Sequence, residues 1–165
     1  IDQKEISPTY QETKMGAVLK NAVEAARDLA ERRKIDIRLK PVRDDISADT
    51  DPKLLETILR ELVENAVSYS APGGAVEIVV QAEKLEIVFQ VMDRGIGILE
   101  EQKAMVFAKF FRGQNVPPDA RGTGLGLYIA RAYVRLLGGR IWFDSRLGFG
   151  TTFNVSIPRL RGVKE

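Results

Sequence analysis

The sequence of 165 residues contains no histidine and no cysteine. The absence of cysteine excludes disulfides and thiolate metal sites, and the absence of histidine excludes imidazole acid–base catalysis and histidine-ligated zinc. No apolar run approaches the roughly 20 residues that span a bilayer, and we expect neither a membrane anchor nor a signal peptide in this segment. The remaining chemistry must use carboxylates, amides, hydroxyls, backbone groups and an added metal.

The sequence also has little net charge. Its 25 basic and 23 acidic residues give a net charge of +2, and the two signs are interleaved. This pattern is a weak basis for a nucleic-acid interface, and we expect none. With 44% apolar and 29% charged residues the composition is that of an ordinary globular protein, and the length favours a single domain over residues 1–165.

Apolar periodicity predicts alternating helices and strands. Three-and-four spacing predicts helices over residues 14–33, 52–69, 100–107 and 124–137, and alternation predicts strands over residues 35–39, 76–81, 85–93, 140–145 and 151–157. Strands 76–81 and 85–93 are close enough to form a hairpin, and a polar loop is expected between Pro41 and Asp51. Helices and mostly antiparallel strands then form two layers, which is an α+β fold.

Two polar residues, Glu61 and Asn65, are four positions apart on the predicted helix 52–69 and so share one face. Magnesium prefers a few oxygen ligands beside water and nucleotide phosphates, so the amide oxygen of Asn65 can complete such a site. Taken alone, Asn65 is better explained by a hydrogen bond to a neighbouring loop. The motifs that follow in the chain favour the metal.

Asp93 ends a predicted strand and is followed by Gly95 and Gly97. Glycine permits backbone angles and close approaches that other residues resist. A carboxylate at this place can accept a hydrogen bond from the exocyclic amine of adenine. Because short Asp–Gly patterns are common, a plain turn explains the motif equally well when it is considered alone.

A third motif places Gly122, Gly124 and Gly126 at the start of a predicted helix. Each glycine costs up to ~1 kcal/mol relative to alanine, so a close backbone approach to a ligand is the expected compensation. Free amides at a helix N-terminus can hold phosphate. One glycine turn is weak evidence, but the ordered set of three motifs predicts a nucleotide pocket.

These motifs closely resemble those of the catalytic and ATP-binding domain of sensor histidine kinases. Residues 61–70 (ELVENAVSYS) resemble the N box of that family, residues 93–98 (DRGIGI) its first glycine box, residues 106–112 (VFAKFFR) its F box, and residues 121–130 (RGTGLGLYIA) its second glycine box. The ending GFGTTFNVSIP is similar to the closing strand of the family. The resemblance covers residues 14–158, nearly the whole chain.

The resemblance implies both a fold and a site. The fold is a two-layer α/β sandwich of the Bergerat type with a mixed, mostly antiparallel sheet and helices on one face, a core over residues 14–158 and an ATP lid over residues 94–121. The implied cofactors are ATP and Mg²⁺, with Asn65 as the metal ligand and Asp93 on the adenine amine. The implied catalytic residues are Glu61, Asn65 and Arg112, and the implied nucleotide-binding residues are Asn65, Tyr69, Asp93, Gly95, Gly97, Ile98, Arg112, Gly122, Thr123, Gly124, Leu125, Gly126 and Thr151.

The sequence departs from the family pattern at two positions. Ser68 stands where the family commonly has Lys or Arg, so one charge that neutralises phosphate is missing. Glu61 stands where many kinases have Asn, as in some histidine kinases and in the gyrase and chaperone ATPases. In those ATPases this carboxylate activates water, whereas in a kinase-like chain we expect it to tune magnesium or water.

The implied activity is that of an ATP-dependent protein-histidine kinase. The domain donates the γ-phosphoryl to a histidine on a separate dimerisation domain, and a response regulator acts downstream. Because this chain has no histidine, the acceptor lies elsewhere and the isolated domain should hardly turn over. We expect a cytoplasmic location and no direct membrane contact of this segment.

Two alternatives stay open at this point. One is a self-contained ATPase in which Glu61 activates water, and the other is a module with degenerate catalysis that senses nucleotide or docks a partner, which Ser68 suggests.

Overall fold

A computed structural model describes residues 6–114 and 123–161. Its elements are, in chain order, β1 (Gln11–Lys14), α1 (Met15–Ala25), α2 (Arg27–Arg33), β2 (Asp36–Leu39), β3 (Ser47–Thr50), α3 (Pro52–Tyr69), β4 (Ala75–Ala82), β5 (Glu86–Asp93), a 3₁₀ helix (Glu100–Met105), α4 (Gly126–Leu136), β6 (Arg140–Arg146) and β7 (Gly150–Pro158). Among these described residues, no helix combines the length and the apolar character needed to cross a membrane.

The main sheet has the strand order β2-β4-β5-β7-β6. Strand β2 runs parallel to β4, and the other neighbours are antiparallel, so the expected mixed and mostly antiparallel sheet is confirmed. The predicted hairpin is β4 and β5, with Val76 opposite Asp93. Along β5 the side chains of Ile87, Phe89 and Val91 are buried and alternate with partly exposed residues, which follows from the period of two in a strand with one covered face.

The helices form the second layer, with α3 at its centre. Helix α3 contacts α1, α2 and α4 as well as β4 and β5. Its fully buried side chains include Leu55, Ile58, Leu59 and Leu62, spaced three or four apart, so one stripe faces the core. Each such side chain contributes roughly 1.5–3 kcal/mol by leaving water. The two-layer α/β sandwich is therefore confirmed.

The ends of α3 agree with the prediction. Asp51 caps the helix, because its Oδ1 accepts hydrogen bonds from the backbone N–H groups of Lys53 (2.9 Å) and Leu54 (3.1 Å), and Pro52 takes the first helical position. At the other end the Ser70 hydroxyl donates to the carbonyl of Ala66 at 2.8 Å. Because hydrogen bonds hold both ends of α3, its polar face has a defined position beside the sheet.

The prediction for the first third of the chain was partly wrong. The single helix predicted over residues 14–33 is two helices that meet at the fully buried Ala26, and Lys14 belongs to β1. The three-and-four spacing of apolar residues continues across Ala26, because both helices pack against α3. The sequence therefore does not indicate that the helix is interrupted. The predicted loop before Asp51 contains β3, which pairs with β1 in a separate two-stranded sheet. Strands of four residues are too short to produce a clear alternation.

Two further boundaries also differ. The helix predicted over residues 100–107 is a 3₁₀ helix that ends at Met105, and the helix predicted from residue 124 begins at Gly126. The described structure leaves out residues 115–122, so part of the expected lid lies outside it.

Candidate functional site

A cleft opens between α3, the end of β5 and the start of α4. One part of it encloses about 570 Å³ of space, counted out to its open mouth. We call this part the Asp93 end; it is lined by Asn65, Tyr69, Asp93, Ile96, Gly97, Ile98, Gln102, Val106, Phe111, Arg112, Gly113, Leu127, Thr151 and Phe153.

A wider and more open part of the cleft adjoins the Asp93 end. We call it the Glu61 end; it is lined by Ala25, Asp28, Leu29, Arg32, Glu61, Glu64, Asn65, Ser68, Tyr69, Val106, Phe111, Thr123, Gly124, Gly126 and Leu127. Both parts share Asn65 and Tyr69 on α3, which therefore lie at the junction.

Most of the described residues predicted for the site line this cleft, and two do not. Gly95 and Leu125 are absent from its lining, and Gly122 lies outside the described residues. The structure thus brings together side chains from α3, β5, β7 and the start of α4 that are far apart in the sequence.

The Asp93 carboxylate is fixed at the bottom of the cleft. Its Oδ1 accepts hydrogen bonds from the backbone N–H groups of Gly95 (2.8 Å) and Thr151 (3.3 Å), and Oδ2 takes part in neither bond. Only 8% of the residue is exposed. The carboxylate is thus held in one orientation with one oxygen left for a ligand that can donate a hydrogen bond.

Burial changes the acidity of this group. Removal from water raises the pKa of Asp93 to about 6, although the hydrogen bonds from Gly95 and Thr151 act in the opposite direction. The group is mostly ionised at neutral pH, and it becomes protonated in mildly acidic solution. A ligand that donates to the carboxylate should therefore bind more weakly below about pH 6.

The glycines that follow Asp93 are required by neighbouring protein atoms. A Cβ at residue 95 would overlap the backbone carbonyl of Tyr69, at the end of α3, and a Cβ at residue 97 would overlap the backbone of Arg146. Gly97 also has a φ of +71°, which favours glycine. These contacts join the end of β5 to α3 and to the turn after β6, so they set the position of Asp93.

The walls of the Asp93 end are largely apolar. Phe153 on β7 packs edge-on against Phe107, with ring centroids 6.2 Å apart, and lies 5.4 Å from Phe143 by the same measure. Val106, Phe111 and Leu127 complete the wall toward the Glu61 end. A flat, mostly apolar ligand with a few polar atoms fits these surroundings.

The Glu61 end is rich in acidic groups. Asp28, Glu61 and Glu64 all line it, and the Glu61 carboxylate is 3.5 Å from the guanidinium of Arg60. Desolvation raises the pKa of Glu64, and the negative charge of Glu61 raises it further. The negative charge of these side chains opposes the binding of an anionic ligand. A cation between the carboxylates and such a ligand is therefore favoured.

The start of α4 approaches two other parts of the site. A Cβ at residue 124 would overlap the backbone of Phe110, whose N–H donates to the Gly124 carbonyl at 3.0 Å, and a Cβ at residue 126 would overlap the Glu61 carboxylate. We predicted that these glycines allow close approach to a ligand; their close neighbours here are protein atoms. The Leu125 N–H donates to the Thr123 hydroxyl at 3.3 Å, and within residues 6–114 and 123–161 no side chain caps the N–H groups of α4, which a ligand could therefore use.

Asn65 suits a metal ligand. Its side chain is half-buried at the junction of the two ends, and within residues 6–114 and 123–161 it forms no hydrogen bond, so the loop contact considered above is not present. The same residues contain no group of three or more acidic side chains arranged around a common metal position. A metal held here would take Asn65 together with ligand oxygens and water.

The sequence motifs did not identify several lining residues. Glu64 lies three positions from Glu61 on the same face of α3, so helical spacing could have found it. Asp28, Leu29 and Arg32 belong to α2, which is distant in sequence from the motifs. Only the packing of α2 on α3 brings them to the cleft.

The family model described as histidine kinase-, DNA gyrase B- and HSP90-like ATPase matches residues 50–161. Among curated proteins, the circadian input-output histidine kinase CikA of Synechococcus elongatus is 43% identical over 109 residues, which is 66% of this chain and 14% of that protein. The chain therefore spans a small part of this relative.

Solved structures agree with the sequence comparison. The catalytic domain of the histidine kinase ThkA, in a nucleotide-free form, has a TM-score of 0.79 and 25% identity and covers 92% of this chain and 97% of its own. Full-length ShkA in complex with AMPPNP has a TM-score of 0.76 and 25% identity, over 93% of this chain and 32% of its own.

Proposed function

Because this chain belongs to the histidine kinase-, DNA gyrase B- and HSP90-like ATPase family, we propose that its cleft binds Mg-ATP and that the domain donates the γ-phosphoryl to a histidine on a separate dimerisation domain. One observation carries the proposal: Asp93 lies at the buried end of a mostly apolar cleft with one carboxylate oxygen uncommitted to backbone hydrogen bonds. Adenine is flat, and its exocyclic amine is the donor that this oxygen requires.

The adenine base would occupy the Asp93 end. There Asp93 accepts from the amine, and Tyr69, Ile98 and Thr151 lie around the ring. Gly95 and Gly97 act indirectly, since their backbone contacts fix the turn that holds Asp93. This arrangement places the rest of the nucleotide toward α4.

The phosphates would extend into the Glu61 end. Thr123, Gly124 and Gly126 line that end at the start of α4, which supports phosphate contacts by these residues, and we place Gly122 and Leu125 with them from the motif alone. Asn65 would ligate magnesium, which supplies charge neutralisation of the phosphates when bound. Arg112 lines the Asp93 end, and we assign it to the terminal phosphate from the sequence motif alone.

Phosphoryl transfer is favoured over the two alternatives. CikA and the structural neighbours ThkA and ShkA are named as histidine kinases, which supports transfer to a histidine over hydrolysis by Glu61 and over a docking module. The Glu61 carboxylate lies beside the start of α4, where it would tune magnesium or water. Since the chain contains no histidine, the acceptor must be supplied by another domain, and a response regulator would receive the phosphoryl group next.

The first test is a calorimetric titration of the domain with a non-hydrolysable ATP analogue, with and without magnesium. We expect saturable one-to-one binding that tightens with magnesium, and Asn65→Ala should remove most of the magnesium effect. Folded protein that releases no heat at high analogue concentration would contradict the proposal.

The second test is transfer itself. The domain is mixed with labelled ATP and a histidine-bearing dimerisation domain, and acid-labile label on that domain is measured. Tight nucleotide binding without any transfer would favour a sensing or docking module, whereas steady phosphate release that is lost in Glu61→Gln would favour the ATPase.

A further inference from the structure

Arg32 is a cation at the otherwise acidic Glu61 end of the cleft. It lies in the last turn of α2, its side chain is exposed, and it lines that end of the cleft. Of the lining residues that the structure describes there, it alone is basic. Within the described ranges its guanidinium has no hydrogen-bond or ion-pair partner.

The charges of this end require such a group if phosphates enter it. Asp28, Glu61 and Glu64 line the same space, and like charges this close oppose the entry of an anion. Arg60 lies 3.5 Å from Glu61 and so offsets only part of that charge. Position 68, which faces the space from α3, is a small neutral serine, so α3 adds no cation there.

Hydrogen bonds hold the turn of α2 that carries Arg32 against α3. The neighbouring Arg33 donates from Nε to the carbonyl of Val67 at 3.1 Å and from Nη2 to the carbonyl of Ser70 at 2.9 Å, which fastens the last turn of α2 to the end of α3. Asp28 and Arg32 are four residues apart on α2, and both line the cleft, so one face of this helix is directed there.

We propose that Arg32 contacts the terminal phosphates of the bound nucleotide and supplies the positive charge that α3 lacks at position 68. A planar guanidinium can bind two phosphate oxygens at once, and such charged hydrogen bonds are stronger than neutral ones. The inference rests on the proposed nucleotide-binding function of the cleft, and it adds a phosphate contact from a helix outside the four motifs.

The test compares Arg32→Gln and Arg32→Glu with Arg27→Gln as the matched control. Arg27 is also an exposed arginine of α2, but it pairs with Glu24 at 2.9 Å and does not line the cleft. Each variant is titrated with a non-hydrolysable ATP analogue plus magnesium and, separately, with adenosine. Thermal unfolding of each variant is recorded to establish that it is folded.

We expect Arg32→Gln to weaken binding of the analogue about tenfold, Arg32→Glu to weaken it further, and adenosine binding to change by less than about twofold. Arg27→Gln should leave both affinities unchanged. Adding Ser68→Lys to Arg32→Gln should restore part of the lost analogue affinity, because it returns a cation to the same space.

Two results would overturn the assignment of Arg32. One is unchanged analogue affinity in both Arg32 variants, and the other is an equal loss of analogue and adenosine affinity, which would mean that Arg32 only shapes the cleft. A parent domain that binds neither ligand would instead overturn the proposed function of the whole cleft.

Discussion

The Asp93 end of the cleft is buried and held by backbone hydrogen bonds, whereas the Glu61 end is open and lined by ionisable side chains. At the Asp93 end the carboxylate is held in one orientation without a ligand. Recognition there depends on the shape of the cleft and on one oriented hydrogen-bond acceptor. At the Glu61 end three acidic side chains face one arginine among the described lining residues, so affinity depends on charge and on a metal. We therefore expect substitutions at the two ends to differ in their effects on the stability of the fold and on the affinity for ligand.

The largest effect on the fold is expected from Gly95→Ala. The added methyl would overlap the Tyr69 carbonyl, and because this atom is backbone it cannot move without shifting α3 or β5. We expect the free energy of unfolding, measured with urea, to fall by about 2–3 kcal/mol.

The matched control for this prediction is Gly16→Ala in α1. A methyl there would be 3.9 Å from the Cβ of Val42, so it has room, and alanine should stabilise the helix by about 0.5–1 kcal/mol. Equal stability of the two alanine variants would contradict the tight packing inferred at residue 95.

The largest effect on binding is expected from Asp93→Asn. Since Oδ1 accepts from Gly95 and Thr151, the new amide nitrogen must take the place of Oδ2 and would face the adenine amine, donor against donor. We expect a loss of about 1.5–3 kcal/mol for the ATP analogue and for adenosine alike, measured by calorimetry. Asp144→Asn on exposed β6 serves as the control and should bind both ligands as the parent does.

Substitution at Arg32, in contrast, should affect only the phosphate-bearing ligand. A variant at Asp93 that lost affinity for the analogue but kept its affinity for adenosine would mean that the base lies elsewhere.

The pH dependence of stability should report on the burial of Asp93. The folded-state pKa of Asp93, about 6, is raised above its ordinary value, so the ligand-free fold binds this proton more tightly than the unfolded chain does. Asp93 therefore contributes to the free energy of unfolding at low pH. This contribution falls by about 2 kcal/mol as the pH rises from about 4 to about 6.

In Asp93→Asn this change should disappear, so the variant should be more stable than the parent near neutral pH and similar to it near pH 4. The measurement is urea unfolding of both proteins across that pH range. Parallel stability curves for parent and variant would be inconsistent with a raised pKa at residue 93.

A smaller effect is expected when the link between α2 and α3 is removed. Arg33→Ala loses the hydrogen bonds to Val67 and Ser70, and we expect about 1 kcal/mol lower stability, since the side chain is only half-buried. If this link positions Arg32, affinity for the ATP analogue should also decline, while affinity for adenosine should be kept. Arg27→Ala is the control, because its surface ion pair with Glu24 contributes little.

The sequence predicted the Asp93 end better than the Glu61 end. Asp93 follows a strand of clear alternation, and Asp51 and Pro52 mark the start of α3, so local signals placed both elements and the residues on them. The reason given for the glycines was incomplete, because the close contacts of Gly95, Gly124 and Gly126 are with protein atoms that are distant in sequence. These close contacts depend on tertiary packing, about which the periodicity of apolar residues carries no information.

The contribution of α2 to the Glu61 end could not be predicted for the same reason. The three-and-four spacing of apolar residues continues through Ala26, so the sequence does not mark the break between α1 and α2. Hydrogen bonds from Arg33 to the carbonyls of Val67 and Ser70 hold the last turn of α2, which carries Arg32, against the end of α3. Neither bond has a sequence signature.

The most direct test of the account is the base preference of the cleft, measured by titrating the parent domain and Asp93→Asn with magnesium and non-hydrolysable analogues of ATP and GTP. Guanine presents a carbonyl where adenine has its amine, so we predict that the parent prefers the ATP analogue by about tenfold or more and that Asp93→Asn loses this preference. Equal affinity of the parent for both analogues, or an unchanged preference in the variant, would contradict the placement of adenine at Asp93.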